Sequence, residues 1–269
     1  MSIDNSSHGG LAEGSLTGRV ALVTGAGGGI GRSVALTLGQ LGAAVGVVDI
    51  DEVAATATCN ELEATGCAAV SVAADIGQHE LLAGVVSQIT DRLGPVSILV
   101  NNAGIAITFS LMDTDLSVWE RTIAVNLTAA FVLTKEIGTR MVASGRGGSI
   151  VNLSSSAAFR AVNAAGAYGV TKAALGALTR GAASELGLHG VNVNAVAPGV
   201  TRTKLTIDGL GGEAALDEAV RGGVLENLLH RVSEPEDVAN VVAFLCLPAS
   251  RQITGQVIQV SAGSVVAAG

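Results

Sequence analysis

The stretch AYGVTKAAL, residues 167–175, holds the only tyrosine of the chain, Tyr168, with Lys172 four positions later. In an alanine-rich helix that spacing puts the phenol and the ammonium on one face, one turn apart. A phenol ionises near pH 10, and bringing it about 3 units toward neutrality takes roughly 4 kcal/mol, which a neighbouring positive charge can supply. Thirteen residues before Tyr168, at the end of the run SIVNLSS, lies Ser155, flanked by Ser154 and Ser156. Its hydroxyl can polarise a carbonyl while the tyrosine gives or takes the proton.

A second stretch, VALVTGAGGGIGRSVALTL, sets a glycine cluster between an apolar run and a helical one. Backbone without side chains lets a pyrophosphate approach the amides at a helix N-terminus. The strict G-x-G-x-x-G pattern is not met, because Ile30 or Arg32 falls where its last glycine belongs; Gly25, Gly29 and Gly31 instead follow Thr24 as T-G-x-x-x-G-x-G. Such turns also serve tight packing alone. Asp49, in GVVDID about 20 residues further on, shifts the balance, since an acid at the end of a second strand accepts hydrogen bonds from the adenosine ribose and repels a 2'-phosphate. NAD is therefore expected rather than NADP, with Ala26 and Gly27 offering no base inside the loop and Arg32 just beyond it. The competing role for Asp49, and more so for Asp51, is a helix N-cap.

These residues need a frame that brings them together. Seven short β-branched runs, RVALVTG, AAVGVVD, AAVSVAAD, SILVNNAG, SIVNLSS, VNVNAVAPG and QVIQVSAG, read as strands apolar on both faces. Between them, Gly29 to Leu41, Glu52 to Thr65, His79 to Leu93, Val118 to Ala143, Ala167 to Leu188 and Pro235 to Leu247 are long enough for crossover helices. The expected fold is α/β: a Rossmann-like, doubly wound, seven-stranded parallel sheet with helices on both faces. Residues 1–15 read as a flexible polar arm and 16–269 as a single dinucleotide-binding catalytic domain. The stretch 204–231 breaks the rhythm and reads as a mobile lid over the carboxyl edge of the sheet.

Composition narrows the partners. A formal net charge of -8 and no basic stripe argue against nucleic acid. No apolar run of about 18 residues free of charge, glycine or amide is present, and the first residues lack the pattern of a secretory signal, so a soluble, cytoplasmic protein without membrane attachment is expected. Cys59, Cys67 and Cys246 have no paired spacing and read as small buried thiols; His8, His79, His189 and His230 are scattered, so no metal is expected.

Taken in order, TGAGGGIG at 24–31, NNAG at 101–104, Asn126 in AVNLTAAF, NLSS at 152–155, YGVTK at 168–172 and PGVTRT at 198–203 closely resemble the motifs of the short-chain dehydrogenase/reductase family in its shorter, classical form, from about Leu16 to Val260. The resemblance implies that Tyr168 is the general acid/base, that Ser155 orients the reacting oxygen, that Lys172 lowers the phenol pKa and binds the nicotinamide ribose, and that Asn126 holds a water in a proton relay. It further implies cofactor contacts from Gly25, Gly29, Ile30, Gly31, Asp49, Ile50, Asp75, Ile76, Asn102, Ala103, Gly104, Pro198, Gly199, Thr201 and Thr203, besides Tyr168 and Lys172. In this picture Asp75 meets the adenine and Asn102 steadies the sheet beside the cofactor. The sequence departs from the family pattern at two places: Ser261 and Ala262 stand where aspartate and glycine are frequent, and Thr201 replaces a common aliphatic residue. The resemblance also implies a homotetramer joined through the tyrosine helix and the helix before it.

An NAD-dependent oxidoreductase interconverting a secondary alcohol and a ketone is the expected activity. A 3-oxoacyl-thioester reductase is the alternative, with an NADPH preference that Asp49 opposes; a catalytically silent nucleotide sensor sits poorly with Ser155, Tyr168 and Lys172. The substrate pocket would draw on 106–111, 157–164 and 204–231, where Arg160 either faces a carboxylate or is solvated.

Overall fold

Each of the seven apolar runs forms a strand in the computed structural model, which describes residues 14–107, 110–160, 166–221, 223 and 225–266. The strands are β1 Val20–Thr24, β2 Ala44–Asp49, β3 Ala69–Ala73, β4 Ile98–Asn101, β5 Gly148–Leu153, β6 Val191–Pro198 and β7 Val257–Val260. All neighbours pair parallel, in the order β3-β2-β1-β4-β5-β6-β7. The helices are α1 Gly29–Gln40, α2 Glu52–Ala64, α3 Leu82–Leu93, α4 Leu116–Ile123, α5 Ala129–Ser144, α6 Gly166–Leu186, α7 Lys204–Leu210, α8 Glu213–Arg221 and α9 Pro235–Cys246.

Central strands such as β1, β2 and β4 are apolar along most of their length because each feeds two cores. In β1, Ala21 and Val23 pack with Val34 and Leu38 of α1 and Val242 of α9, whereas Val20 and Leu22 pack with Ile89 of α3 and Leu133 and Ile137 of α5. Successive strand residues point to opposite faces, so one run of valines and leucines serves both helix layers. From β1 the chain steps outward through β2 to β3, then returns to lay β4 on the other flank of β1, with Val23 opposite Val100. The loops leaving β1 and β4 therefore diverge, and the crevice between them is where open α/β sheets take ligands.

The expected helix from Val118 to Ala143 is longer and broken in its pairing. A π-turn, Ala124–Thr128, joins α4 to α5 within one continuous helix. Among the described residues this 29-residue span is long and apolar enough by length and composition to cross a membrane. Its apolar character has a local cause: Val125, Ala129, Leu133, Ile137 and Met141 are buried in one face of the core.

Residues 1–13 of the expected N-terminal arm lie outside the described residues. The 204–231 stretch is largely helical where described, holding α7 and α8. Thr203 caps α7 through a reciprocal pair with Thr206, and α8 buries Leu216 and Val220. Arg202 fastens the region through Asp217 at 2.9 Å and Glu234 at 3.0 Å. Beyond β7, Ala262 adopts a φ of 52°, so the alanine found in place of the family's frequent glycine occupies left-handed backbone.

Candidate active site

At the carboxyl end of β1 the backbone turns through the glycine cluster into α1. A Cβ at Gly31 would overlap the Gly25 carbonyl oxygen, so only glycine permits this close approach. The N-cap of α1 is Gly28, which supplies no side-chain hydrogen bond, and no acidic residue stands in the first turn. No acidic side chain of the first turn competes for those amides, and the helix dipole favours a negative group there.

Asp49 ends β2 beside this turn. Its Oδ2 accepts from the Gly27 amide at 2.8 Å and its Oδ1 from the Asp51 amide at 3.1 Å. The helix cap is instead Asp51, whose Oδ1 accepts from Val53 and Ala54. Each Asp49 oxygen thus keeps acceptor capacity toward the cavity it lines. After β3, Asp75 accepts from the Gly77 amide and from Arg121 Nη2, both at 2.9 Å, and the guanidinium holds its carboxyl below the usual range.

Asn102, after β4, spends its side chain on the protein. Its Nδ2 donates to the Thr24 and Gly25 carbonyls at 2.8 and 3.1 Å, while the Asn102 and Ala103 amides both donate to Thr24 Oγ1 at 3.0 Å. The glycine turn is thereby tied to β4. Deeper in, Asn101 Nδ2 donates to Asn152 Oδ1 at 2.8 Å and Asn152 Nδ2 to Thr179 Oγ1 at 2.9 Å, a buried polar chain from β4 through β5 to α6.

The proton chemistry sits after β5. Lys172 is only 4% exposed, and its Nζ donates to the Leu153 carbonyl at 2.7 Å, 5.5 Å from the centre of the Tyr168 ring. Ser154 Oγ donates to the Lys172 carbonyl at 2.7 Å, locking strand end to helix. Ser155 lies just beyond the strand, where its hydroxyl accepts from the Ala157 amide at 3.1 Å and starts a 3-10 turn. Burial lowers the Lys172 pKa to about 8. Burial also pushes the Tyr168 phenol up, against a downward pull from the Ser155 hydroxyl. Desolvation of the phenolate thus outweighs the other influences on it in the protein alone.

Asn126 lies in the π-turn. Its Oδ1 accepts from the Ile105 amide at 2.8 Å, and its Nδ2 donates to the Ile105 carbonyl at 2.9 Å and Thr171 Oγ1 at 3.2 Å. Both amide protons are used, which leaves the side chain one Oδ1 lone pair for a water. A Cβ on Gly104 would stand 3.3 Å from both Asn126 Oδ1 and Lys172 Nζ, so this glycine separates the two groups with no room to spare.

One cavity of about 430 Å³ is lined by Ser155, Tyr168 and Lys172 and by every cofactor contact expected from the sequence: Gly25, Gly29, Ile30, Gly31, Asp49, Ile50, Asp75, Ile76, Asn102, Ala103, Gly104, Pro198, Gly199, Thr201 and Thr203. Of the expected site residues only Asn126 is absent from the wall, one hydrogen bond behind it. The wall also includes Lys204, Leu205 and Thr206 from the 204–231 stretch, and Arg121 and Ile105, which sequence reasoning missed. Arg121 leaves no local signal, because its partner Asp75 is 46 positions away. Among the described residues no group of three or more His, Cys, Asp or Glu could hold a metal ion. Cys59 and Cys246 are buried and Cys67 is half-buried, all as free thiols.

The cavity's two ends suit a dinucleotide. Uncapped amides stand beside the close-packed glycine turn, the Asp49 carboxylate lines the same cavity, and a hydroxyl, a phenol and an amine line it as well. Comparison with known proteins agrees with this arrangement. A family model described as Enoyl-(Acyl carrier protein) reductase matches residues 25–264. A short-chain dehydrogenase/reductase of Hericium erinaceus is 37% identical over 248 residues, covering 91% of this chain and 96% of its own. A crystal structure of a putative short-chain alcohol dehydrogenase from Sinorhizobium meliloti superposes with a TM-score of 0.87 at 36% identity, covering 93% of this chain and 98% of that one. A putative NAD(P)-dependent gluconate 5-dehydrogenase from Beutenbergia cavernae, with NADP bound at low occupancy, gives a TM-score of 0.85 at 34% identity, covering 95% and 100%.

Proposed function

The chain belongs to the short-chain dehydrogenase/reductase family of oxidoreductases, and on that premise we propose that it interconverts a secondary alcohol and a ketone with NAD as the hydride carrier. The observation that carries this is the meeting of Ser155, Tyr168 and Lys172 in the same cavity as the glycine turn and Asp49. The residues that would hold the dinucleotide are Gly25, Gly29, Ile30 and Gly31 at the pyrophosphate, Asp49 and Ile50 at the adenosine ribose, and Asp75 and Ile76 at the adenine. Asn102, Ala103, Gly104, Pro198, Gly199, Thr201 and Thr203 would continue the wall toward Lys172. When bound, that cofactor accepts or supplies the hydride.

The protein's part is position and proton flow. In oxidation the Tyr168 phenolate takes the hydroxyl proton of the alcohol, and in reduction the phenol returns it to the forming alkoxide. Ser155 donates a hydrogen bond to the same oxygen, favouring the charge that develops there. Lys172 places a positive charge beneath the phenol, and the remaining lone pair of Asn126 gives a water a place from which protons can be passed on. Because burial raises the phenol, the protonated form that reduction needs is the resting form at neutral pH.

NAD is proposed over NADP because the Asp49 carboxylate would stand against a 2'-phosphate. The NADP in the Beutenbergia structure belongs to that protein, and titration of this one with NADH and NADPH decides the matter: tighter binding of the phosphorylated form overturns the Asp49 assignment. The 3-oxoacyl-thioester alternative is favoured by the carrier-protein description of the family model and predicts the opposite titration result. A homotetramer joined through α5 and α6 belongs to the same proposal, since Phe131 on α5 and Val170 on α6 leave apolar side chains about half exposed; sedimentation at micromolar concentration tests it. The free thiols suit a reducing cytoplasm.

A further inference from the structure

Asp75 and Arg121 reach one cavity from different elements, the loop after β3 and the last turn of α4. Arg121 Nη2 donates to Asp75 Oδ1 at 2.9 Å, and the Gly77 amide donates to the same oxygen at 2.9 Å. The loop also closes on itself, with the Gln78 amide donating to the Asp75 carbonyl at 3.0 Å. Gly77 makes room for the guanidinium, because a Cβ at that position would overlap Arg121 Nη1. Two residues on, His79 Nε2 donates to the Ala124 carbonyl at 2.9 Å, so the loop is docked to the long helix at a second point.

The Arg121 and Asp75 side chains are 40% and 21% exposed, and ion pairs so open to water contribute little to stability. What the pair does set is the state and aim of the carboxylate. The guanidinium holds the Asp75 carboxyl below its usual range, with a smaller pull in the same direction from Gln78, so the group is ionised near neutrality. An ionised carboxylate accepts hydrogen bonds and donates none. Both of its bonds fall on Oδ1, which leaves acceptor capacity at Oδ2. A 6-amino purine can donate to such an oxygen. A 6-oxo purine in the same place presents a carbonyl oxygen instead, and two acceptors then face each other without a proton between them.

We infer that Arg121 is a specificity-determining positioning residue: by fixing Oδ1 of Asp75 it commits the other carboxylate oxygen to the purine, so that dinucleotides with a 6-amino base are chosen over those with a 6-oxo base. The inference rests on the proposed placement of the adenine at Asp75 and Ile76. Arg121 acts through Asp75 and touches no reacting atom. The glycine turn, Asp49 and the residues toward Lys172 meet parts of the dinucleotide that are the same in both ligands, so a ratio of affinities isolates the base.

Titration of the full chain with NADH and with reduced nicotinamide hypoxanthine dinucleotide, followed by the fluorescence of the reduced nicotinamide, tests this without turnover. The parent is expected to bind NADH about tenfold or more tightly than the hypoxanthine analogue. In Arg121→Met, with its fold checked by a cooperative unfolding transition, the two affinities should come within about threefold of each other. A preference kept or widened in Arg121→Met overturns the inference and leaves the adenine placement standing. Where Arg121→Met does not fold, Gly77→Ala, whose methyl pushes the guanidinium off the loop, is expected to narrow the ratio in the same way and is judged by the same outcomes. If the parent binds both ligands alike, Asp75 does not read the base, and the inference falls while dinucleotide binding stands. If neither ligand binds, the dinucleotide reading itself fails and takes the inference with it.

Discussion

The Gly27 amide lies 2.8 Å from Asp49 Oδ2, so the carboxylate that ends β2 is fastened to the turn that opens α1. One acid thus shapes the glycine turn and, in the proposed function, would set the charge facing the adenosine ribose. Replacing it with asparagine keeps an acceptor for Gly27 and removes the charge. Asp49→Asn should therefore weaken NADH binding and narrow the preference over NADPH by about tenfold or more, measured by fluorescence titration. An unchanged preference would take the acid out of cofactor choice.

Removing the phenolic hydroxyl isolates the proton step. Tyr168→Phe should lower kcat by about 10²–10⁴-fold while NADH affinity stays within about twofold of the parent. A variant with near-parental turnover would mean that another group moves the proton.

Lys172 makes stability depend on pH. Its folded pKa of about 8 lies below the ordinary 10.5, so burial disfavours the charged form. Between those values the unfolded chain binds the extra proton, and stability due to this group rises with pH; below about pH 8 the penalty is present in full. Lys172→Met removes the group. Its advantage in unfolding free energy over the parent should be greatest below pH 8 and shrink by about 3 kcal/mol as pH rises to 10.5. Cys246, whose thiol is pushed up to about 12 by burial, acts in the opposite direction above pH 9 but is common to both proteins. Denaturant titrations at pH 7, 9 and 10 measure the gap, and a constant gap would contradict the assignment.

The Asn101–Asn152–Thr179 chain spans the sheet in a fully buried setting. Asn152→Leu should cost about 1–3 kcal/mol in urea unfolding, because it removes two buried hydrogen bonds and leaves Asn101 Nδ2 only Thr134 Oγ1 and the Thr179 hydroxyl only the Leu175 carbonyl. A loss below about 0.5 kcal/mol would show that water or a shifted side chain replaces the missing partner.

Ala262 holds a φ of 52° that alanine tolerates poorly. Ala262→Gly should raise stability by about 0.5–1 kcal/mol and leave the proton chemistry untouched, read as an upward shift in Tm. A lower Tm would mean that the alanine methyl contributes more than its backbone costs.

Much of this architecture can be read from sequence because its causes are local or periodic. Valine-rich runs such as VALVT and AVGVVD announce strands buried on both sides, and the glycine turn announces itself by composition. The four-residue step from Tyr168 to Lys172 needs only a helix to place both groups on the cavity wall. What escaped depends on contacts between distant segments. Arg121 reaches Asp75 across 46 positions, Arg160 reaches Ser264 across 104, and Asn101 meets Asn152 only when β4 and β5 pair in register. The desolvation of Tyr168 escaped for the same reason: a neighbouring charge is visible in the spacing, whereas the loss of water around the phenol depends on everything packed over it.

The π-turn at Ala124–Thr128 carries a consequence for the whole long helix. One surplus residue in such a turn offsets the angular phase of the downstream helix by about 100°. Arg121 before the turn faces Asp75, while Leu133 and Ile137 after it face the sheet. A regular helix of the same length would have to choose between aiming the guanidinium and seating the leucine, so shortening the turn by one residue trades the Asp75–Arg121 pair against the floor of the core.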